Sequence, residues 1–186
     1  MFADLLRERF SDLTADQIAQ LQAHYDLLQR WNQKLNLTSV RDEAEIVERH
    51  YCESLFLGAH LPPGELTIAD VGSGAGFPGF PVAVLRPDCR VTLIESHQRK
   101  AVFLREASRH TPNLRVLATR AESVSEHFDW AISRAVKYEE IRPVLERLAP
   151  NIALLAGGPI AGFDSIPLPR GDRRVLLISR ETNPTP

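Results

Sequence analysis

The sequence predicts an α/β fold, a mainly parallel sheet with helices on both faces, closed by a C-terminal antiparallel hairpin and preceded by a small helical segment. Three observations predict it. From residue 66 onward, short apolar and β-branched runs alternate with helical patterns. The first run is followed by a glycine-rich turn, Gly72-Ser73-Gly74-Ala75-Gly76-Phe77-Pro78-Gly79. Near the end, two apolar stretches within 163–179 flank Arg170-Gly171-Asp172, the mark of a hairpin.

The helical segment opens with a capping box, Thr14-Ala15-Asp16-Gln17. Ile18, Leu21, Tyr25, Leu28 and Trp31 then recur at helical spacing. Asp42 with Glu45 makes a similar start for a second helix, whose apolar stripe is Ile46, Val47, Tyr51 and Leu55. Pro62-Pro63-Gly64 ends this part. The division expected is therefore 1–62 for the helical segment and 63–186 for the sheet domain. Strands are expected near 66–71, 90–95, 114–118, 129–133, 152–155 and 174–179, and helices near 79–86, 97–110 and 137–148.

Composition bounds the function. The 186 residues, 44% hydrophobic and 25% charged, suit one soluble sheet domain with a small appendage. No run of 18 apolar residues is present, and Met1-Phe2-Ala3-Asp4-Leu5 lacks the pattern of a secretory signal, so no membrane partner is expected. Cys52 and Cys89 make no disulfide framework and fit a reducing, cytoplasmic setting. The net charge of −2 is divided unevenly: residues 1–60 hold six Lys/Arg against ten Asp/Glu, and residues 61–186 hold sixteen against fourteen. That is no bulk polycation, so any nucleic-acid contact must come from a local patch. The nineteen arginines against three lysines favour bidentate phosphate contacts, though genome composition explains the ratio equally well. No metal site is expected.

The glycine turn carries the chemistry. Glycine tolerates φ > 0 and lets backbone approach a ligand closely. A strand, this turn and a helix make the first crossover of a nucleoside-binding sheet. Val91-Thr92-Leu93-Ile94 then ends at Glu95, where a carboxylate can accept hydrogen bonds from two ribose hydroxyls. Asp70, just before the turn, is read as organising it through backbone contacts.

Three motifs in register now support a resemblance. Trp31-Asn32-Gln33-Lys34-Leu35-Asn36-Leu37-Thr38, the turn from Asp70 to Gly79, and Ile132-Ser133-Arg134-Ala135 are together similar to the bacterial ribosomal RNA guanine-N7 methyltransferases, the glucose-inhibited division protein B or RsmG family. The likeness runs from about Leu28 to Leu155. It implies a class I, Rossmann-like methyltransferase using S-adenosyl-L-methionine and acting on N7 of a guanine in 16S ribosomal RNA, in the 530 loop of the decoding region. It also implies 16S RNA or the assembling small ribosomal subunit as partner, and no DNA.

By that resemblance Gly72, Gly74 and Phe77 line the cofactor, Glu95 holds its ribose, and Ala121 and Glu122 border its adenine. Arg134 sits beside the site, among the cofactor contacts and as the one catalytic candidate. Each has a plainer reading: Phe77 as core, Glu122 as an acid at a helix start, Arg134 as a surface or ion-paired arginine. Arg41, Arg49, His50, Arg99 and Lys100 are RNA-binding candidates, against a solvated helical face for Arg99 and Lys100 and a packed core histidine for His50. Trp31 reads as core.

The chemistry expected needs little from the protein. Guanine N7 offers an in-plane lone pair and no proton, so displacement at an activated methyl group requires positioning and no general base. A pyrimidine carbon as acceptor would need a cysteine nucleophile, and neither Cys52 nor Cys89 is placed for attack. No residue is therefore assigned to bond making. The chain departs from the family after its fifth strand, where Ala156 stands in place of a usual lysine and 157–169 is short. Two other readings stay open: a methyltransferase for another RNA or a small molecule, and a nucleoside-binding protein without turnover. A nicotinamide dehydrogenase shares the glycine turn but fits neither the terminal hairpin nor the lack of a substrate domain.

Overall fold

A computed structural model describes residues 2–134, 137–170 and 173–179. Helical elements come first. Helix α1 spans Phe2–Arg9 and α2 spans Ala15–Asn32. The capping box forms as expected: Thr14 Oγ1 accepts from Gln17 N at 3.2 Å, and Gln17 Oε1 accepts from Thr14 N at 2.9 Å. Helix α3 (Glu43–Ile46) starts at Asp42, whose carboxylate accepts from Glu45 N at 2.8 Å. It runs into a π-helical turn, Val47–Cys52, and then α4, Glu53–His60. Ile46, Val47, Tyr51 and Leu55 are all buried there.

The sheet holds β1 (Thr67–Val71), β2 (Arg90–Ile94), β3 (Leu114–Leu117), β4 (Trp130–Arg134), β5 (Asn151–Ala156), β6 (Phe163–Pro167) and β7 (Val175–Ser179). Helices α5 (Gly79–Leu85), α6 (Gln98–Ala107) and α7 (Tyr138–Leu148) connect the parallel strands. The strand order is β3-β2-β1-β4-β5-β7-β6. Strands β1 to β5 are parallel, whereas β7 runs antiparallel between β5 and β6. The hairpin expected near the end is thus present, although residues 171–172 of its turn lie outside the described residues.

Register places the chemistry. Strand β1 pairs with β2 and β4 so that Val71, Ile94 and Arg134 end at one edge of the sheet. The chain winds outward from β1 through β2 to β3 on one side, and through β4 to β5 on the other. Such a reversal opens a crevice at the carboxyl ends of the central strands.

Two apolar layers cover the sheet. Ile68, Leu93 and Ile132 face the core shared with α1, α2, α4 and α5. Ala69, Val71, Ile94 and Ala131 face the layer holding Leu145 and Leu148 of α7. Among the described residues, no helix is long and apolar enough to cross a membrane.

Candidate functional site

The glycine turn is held by the ends of two strands. Gly72 N and Ser73 N both donate to Ile94 O, at 3.0 and 3.2 Å. Gly72 and Gly74 adopt φ of 73° and 57°, a region closed to most side chains, which is why the sequence needs glycine here. Behind the turn, the buried Asp70 accepts from Gly79 N through Oδ2 at 2.9 Å. A Cβ built on Gly79 would lie 2.6 Å from that oxygen, so only glycine lets α5 start this close to β1. Asp70 Oδ1 has no hydrogen-bond partner among the described residues. Burial raises the Asp70 carboxyl to about 7, against the opposing Gly79 N–H. Its role as organiser of the turn agrees with this geometry.

Glu95 follows β2 and is 7% exposed. Its Oε2 accepts from Gly74 N at 2.8 Å, and its Oε1 from His97 N at 2.7 Å. Each oxygen keeps a second lone pair for another donor. The carboxylate is therefore fixed by backbone and still able to receive two hydroxyls.

An open cavity of about 170 Å³ lies at the carboxyl edge of β1 and β4. Its floor is the turn from Gly72 to Ala75, and Phe77 and Arg134 stand at its sides. Thr38 and His50 of the helical segment line it as well. Ser133 Oγ donates to Val71 O at 2.8 Å and ties β4 to β1 beneath it. Phe77 is buried, 4.9 Å from the His50 ring and 5.0 Å from the Tyr51 ring, so it serves as wall and core together.

The helical segment is pinned to this floor by His24. Its Nε2 lies 3.0 Å from Ala75 O and its Nδ1 2.7 Å from Tyr51 Oη. The carbonyl can only accept, so Nε2 carries the proton and the tyrosine donates to Nδ1. Burial drives the His24 pKa down to about 3, and the ring is neutral. On the other flank, Asn32 Oδ1 accepts from Leu37 N and Thr38 N at 2.8 and 3.0 Å. That fixes the loop after α2 so that Thr38 Oγ1 meets His50 Nε2 at 2.8 Å.

The structure brings Gly72, Gly74, Phe77, His50 and Arg134 around one cavity, with Glu95 bonded to its floor. Ala121 and Glu122 stand on a short turn after β3; Glu122 is exposed, and Ala121 O accepts from Arg147 at 2.8 Å. Arg49 is half-exposed and paired with Glu45 at 2.6 Å, and Arg41 is exposed ahead of α3. Arg99 lines a separate cavity of about 350 Å³ with Arg30, Trp31 and Lys34, and Lys100 is half-buried on α6. Trp31 is half-buried, packing on Phe103 and donating to Glu106 at 3.0 Å.

Cys52 and Cys89 are buried, and neither lines the central cavity. Ala135 of the third motif lies outside the described residues. His24, Ser73 and the Glu53–Arg174 pair were not singled out from sequence. Among the described residues no group of three or more His, Cys, Asp or Glu could hold a metal ion.

Comparison with known proteins agrees with this geometry. The family model GidB, rRNA small subunit methyltransferase G, matches residues 17–153. The chain is 46% identical over 128 residues to the Ribosomal RNA small subunit methyltransferase G of Xanthomonas campestris pv. campestris (strain B100), covering 67% of this chain and 59% of that protein. It thus spans about three-fifths of the length of that relative. It is 38% identical over 156 residues to the protein of the same name from Aquifex aeolicus, covering 80% of each. In fold it resembles the crystal structure of a SAM dependent methyltransferase from Aquifex aeolicus, with a TM-score of 0.57 at 17% identity, covering 73% of this chain and 92% of that one.

Proposed function

The chain belongs to the rRNA small subunit methyltransferase G family, and from that premise we propose that it transfers a methyl group from S-adenosyl-L-methionine to N7 of a guanine in 16S ribosomal RNA, in the 530 loop. One observation carries the cofactor reading. Glu95 is buried, oriented by two backbone N–H groups and bonded to a glycine turn at the sheet's reversal point. That is the pair of acceptors a ribose diol needs, with open backbone beside it for the rest of a nucleoside.

The residues present fit such a cofactor. Glu95 takes the ribose hydroxyls, Gly72 and Gly74 leave room for the methionine end, and Phe77 offers an apolar wall. Ala121 and Glu122 border the adenine side. The cofactor supplies an activated methyl group. What the protein contributes is position: it fixes donor and acceptor in line and excludes water at the apolar wall. Burial and the nearby Arg134 charge hold the His50 pKa down to about 3, which makes the neutral ring too weak a proton acceptor for a general base at neutral pH. Guanine N7 requires none.

The helical segment, 1–62, roofs the site, and the sheet domain, 63–186, carries the cofactor. Arg41, Arg49, His50, Arg99 and Lys100 are the candidates for contact with the RNA of the assembling small subunit, a cytoplasmic partner.

The test is transfer of labelled methyl groups to small ribosomal subunits from cells lacking the modification. The expected result is label in RNA, lost with Glu95→Ala. No label, with S-adenosylhomocysteine still bound, would contradict the acceptor; no binding of S-adenosylhomocysteine would contradict the cofactor.

A further inference from the structure

A second concavity, of about 350 Å³, lies apart from the central cavity, between α2 and α6. Leu27, Arg30, Trp31 and Lys34 line it from α2 and the turn that follows, and Arg99 and Glu106 from α6. The Trp31 indole joins the two helices. Its Nε1 donates to Glu106 Oε2 at 3.0 Å, and its ring meets Phe103 at 67° with centroids 5.9 Å apart.

The charges of this groove are unbalanced. Arg30, Lys34 and Arg99 are exposed, and among the described residues their side chains have no ion pair or hydrogen bond. Farther along, Arg105 on α6 and Arg109 in the turn after it are exposed and unpaired in the same sense. The acid in the lining, Glu106, is already engaged by Trp31. Surface arginines elsewhere sit with carboxylates: Arg7 with Asp4, Arg49 with Glu45, Arg142 with Glu146. The helical segment is moreover acidic as a whole, yet two of the six Lys/Arg in residues 1–60 stand at this groove. Cations gathered around a concave surface focus a positive potential there, and a polyanion relieves their mutual repulsion.

The aromatic ring and the position of the groove choose the polyanion. An indole set among guanidinium groups suits unpaired bases as well as phosphates. An acidic peptide would use the cations and leave Trp31 idle. Both sides of the groove also lead directly to the central site. Lys34 begins the short loop to Thr38, which lines the cavity and is held by Asn32, and Arg99 follows Glu95 at the start of α6.

We infer that the groove between α2 and α6 is a second RNA contact, in which Arg30, Lys34 and Arg99 take phosphates of a single-stranded segment flanking the acceptor guanine and Trp31 takes one of its bases. The inference rests on the proposed function and adds a contact outside the cavity, made chiefly by residues of the helical segment.

The experiment compares the parent protein with the double variant Arg30→Gln, Lys34→Gln, with Trp31→Leu, and with a control pair, Arg90→Gln, Arg142→Gln. The control removes the same charge from the start of β2 and from α7, on the other face of the sheet. Each is checked for folding by thermal melting. Binding of a small-subunit ribosomal RNA transcript is measured across salt concentrations, and binding of S-adenosylhomocysteine by calorimetry. The double variant should bind RNA ~10-fold or more weakly, with a salt slope lower by about 1.4, that of two single-strand phosphate contacts. Trp31→Leu should lose ~10-fold in affinity at an unchanged slope, the mark of a lost stacking contact. The control pair should keep the parental slope, and S-adenosylhomocysteine affinity should stay within about twofold throughout.

An unchanged slope in the double variant overturns the proposal, and so does an equal fall in the control pair, which would reduce the effect to net charge. Parental RNA affinity in a folded Trp31→Leu removes the base contact and overturns the choice of single strand. If Trp31→Leu does not fold, the charge variants still decide, because their positions are exposed. Failure of the parent protein to bind S-adenosylhomocysteine would strike the functional reading instead, and the RNA slopes would still decide the groove.

Discussion

Replacing Asp70 by Asn isolates one buried proton. The carboxyl is fully buried beneath the glycine turn, accepts a single backbone N–H, and is raised to about 7 chiefly by burial. In the unfolded chain it titrates near its ordinary value of 3.8. The folded state therefore binds the extra proton between those values. Its contribution is fully present below 3.8 and is lost as pH rises to about 7.

Each pH unit in that window removes about 1.4 kcal/mol from the parent and nothing from the variant. Asn keeps an oxygen to accept from Gly79 N, and any mispairing of its amide adds only a constant offset. The stability of Asp70→Asn relative to the parent should therefore rise by roughly 3 kcal/mol from pH 4.5 to 7. Urea melts at a series of pH values read it, with unchanged m. The buried histidines titrate alike in both proteins and cancel. A difference that does not vary with pH would refute the reasoning, because it would mean that burial leaves this carboxyl at its ordinary value.

Other expectations come from the same contacts. Tyr51→Phe leaves the buried His24 Nδ1 without its donor and should cost about 1–3 kcal/mol in urea unfolding. His24 and His50, both depressed to about 3, leave the folded state with fewer protons than the unfolded one below pH 6.5. The histidine contribution to stability should therefore fall on acidification from 6.5 toward 3, opposing that of Asp70, and His24→Gln should gain stability relative to the parent over that range. Glu95→Ala removes the carboxylate proposed for the ribose and should weaken S-adenosylhomocysteine binding by ~10-fold or more in calorimetry, as expected for losing a charged acceptor. Unchanged affinity would remove Glu95 from the site.

Much of this was legible because it is local. The caps at Thr14 and Asp42 are three-residue signals, and the parallel strands are short apolar runs whose observed ends fall within about a residue or two of those expected. The glycine turn and Glu95 could be read because φ > 0 and a strand-end acid leave marks in sequence. What was missed depends on distant partners. His24 looks like a polar interruption of a helix stripe, and its burial makes sense only once Tyr51 and Ala75 meet both ring nitrogens. Arg174 is paired with a residue 121 positions away, and β7 inserts between β5 and β6 by pairing that does not follow chain order. The π turn that presents His50 to the cavity has no composition of its own.

Mapping the methylated position tests the central claim most directly. Small ribosomal subunits from cells lacking the modification would be incubated with the protein and S-adenosylmethionine, and their RNA cleaved chemically at N7-methylguanine. The account predicts a single new cleavage at one guanine of the decoding region, absent without protein. Incorporated methyl groups with no N7-specific cleavage would place the transfer on another atom and contradict it.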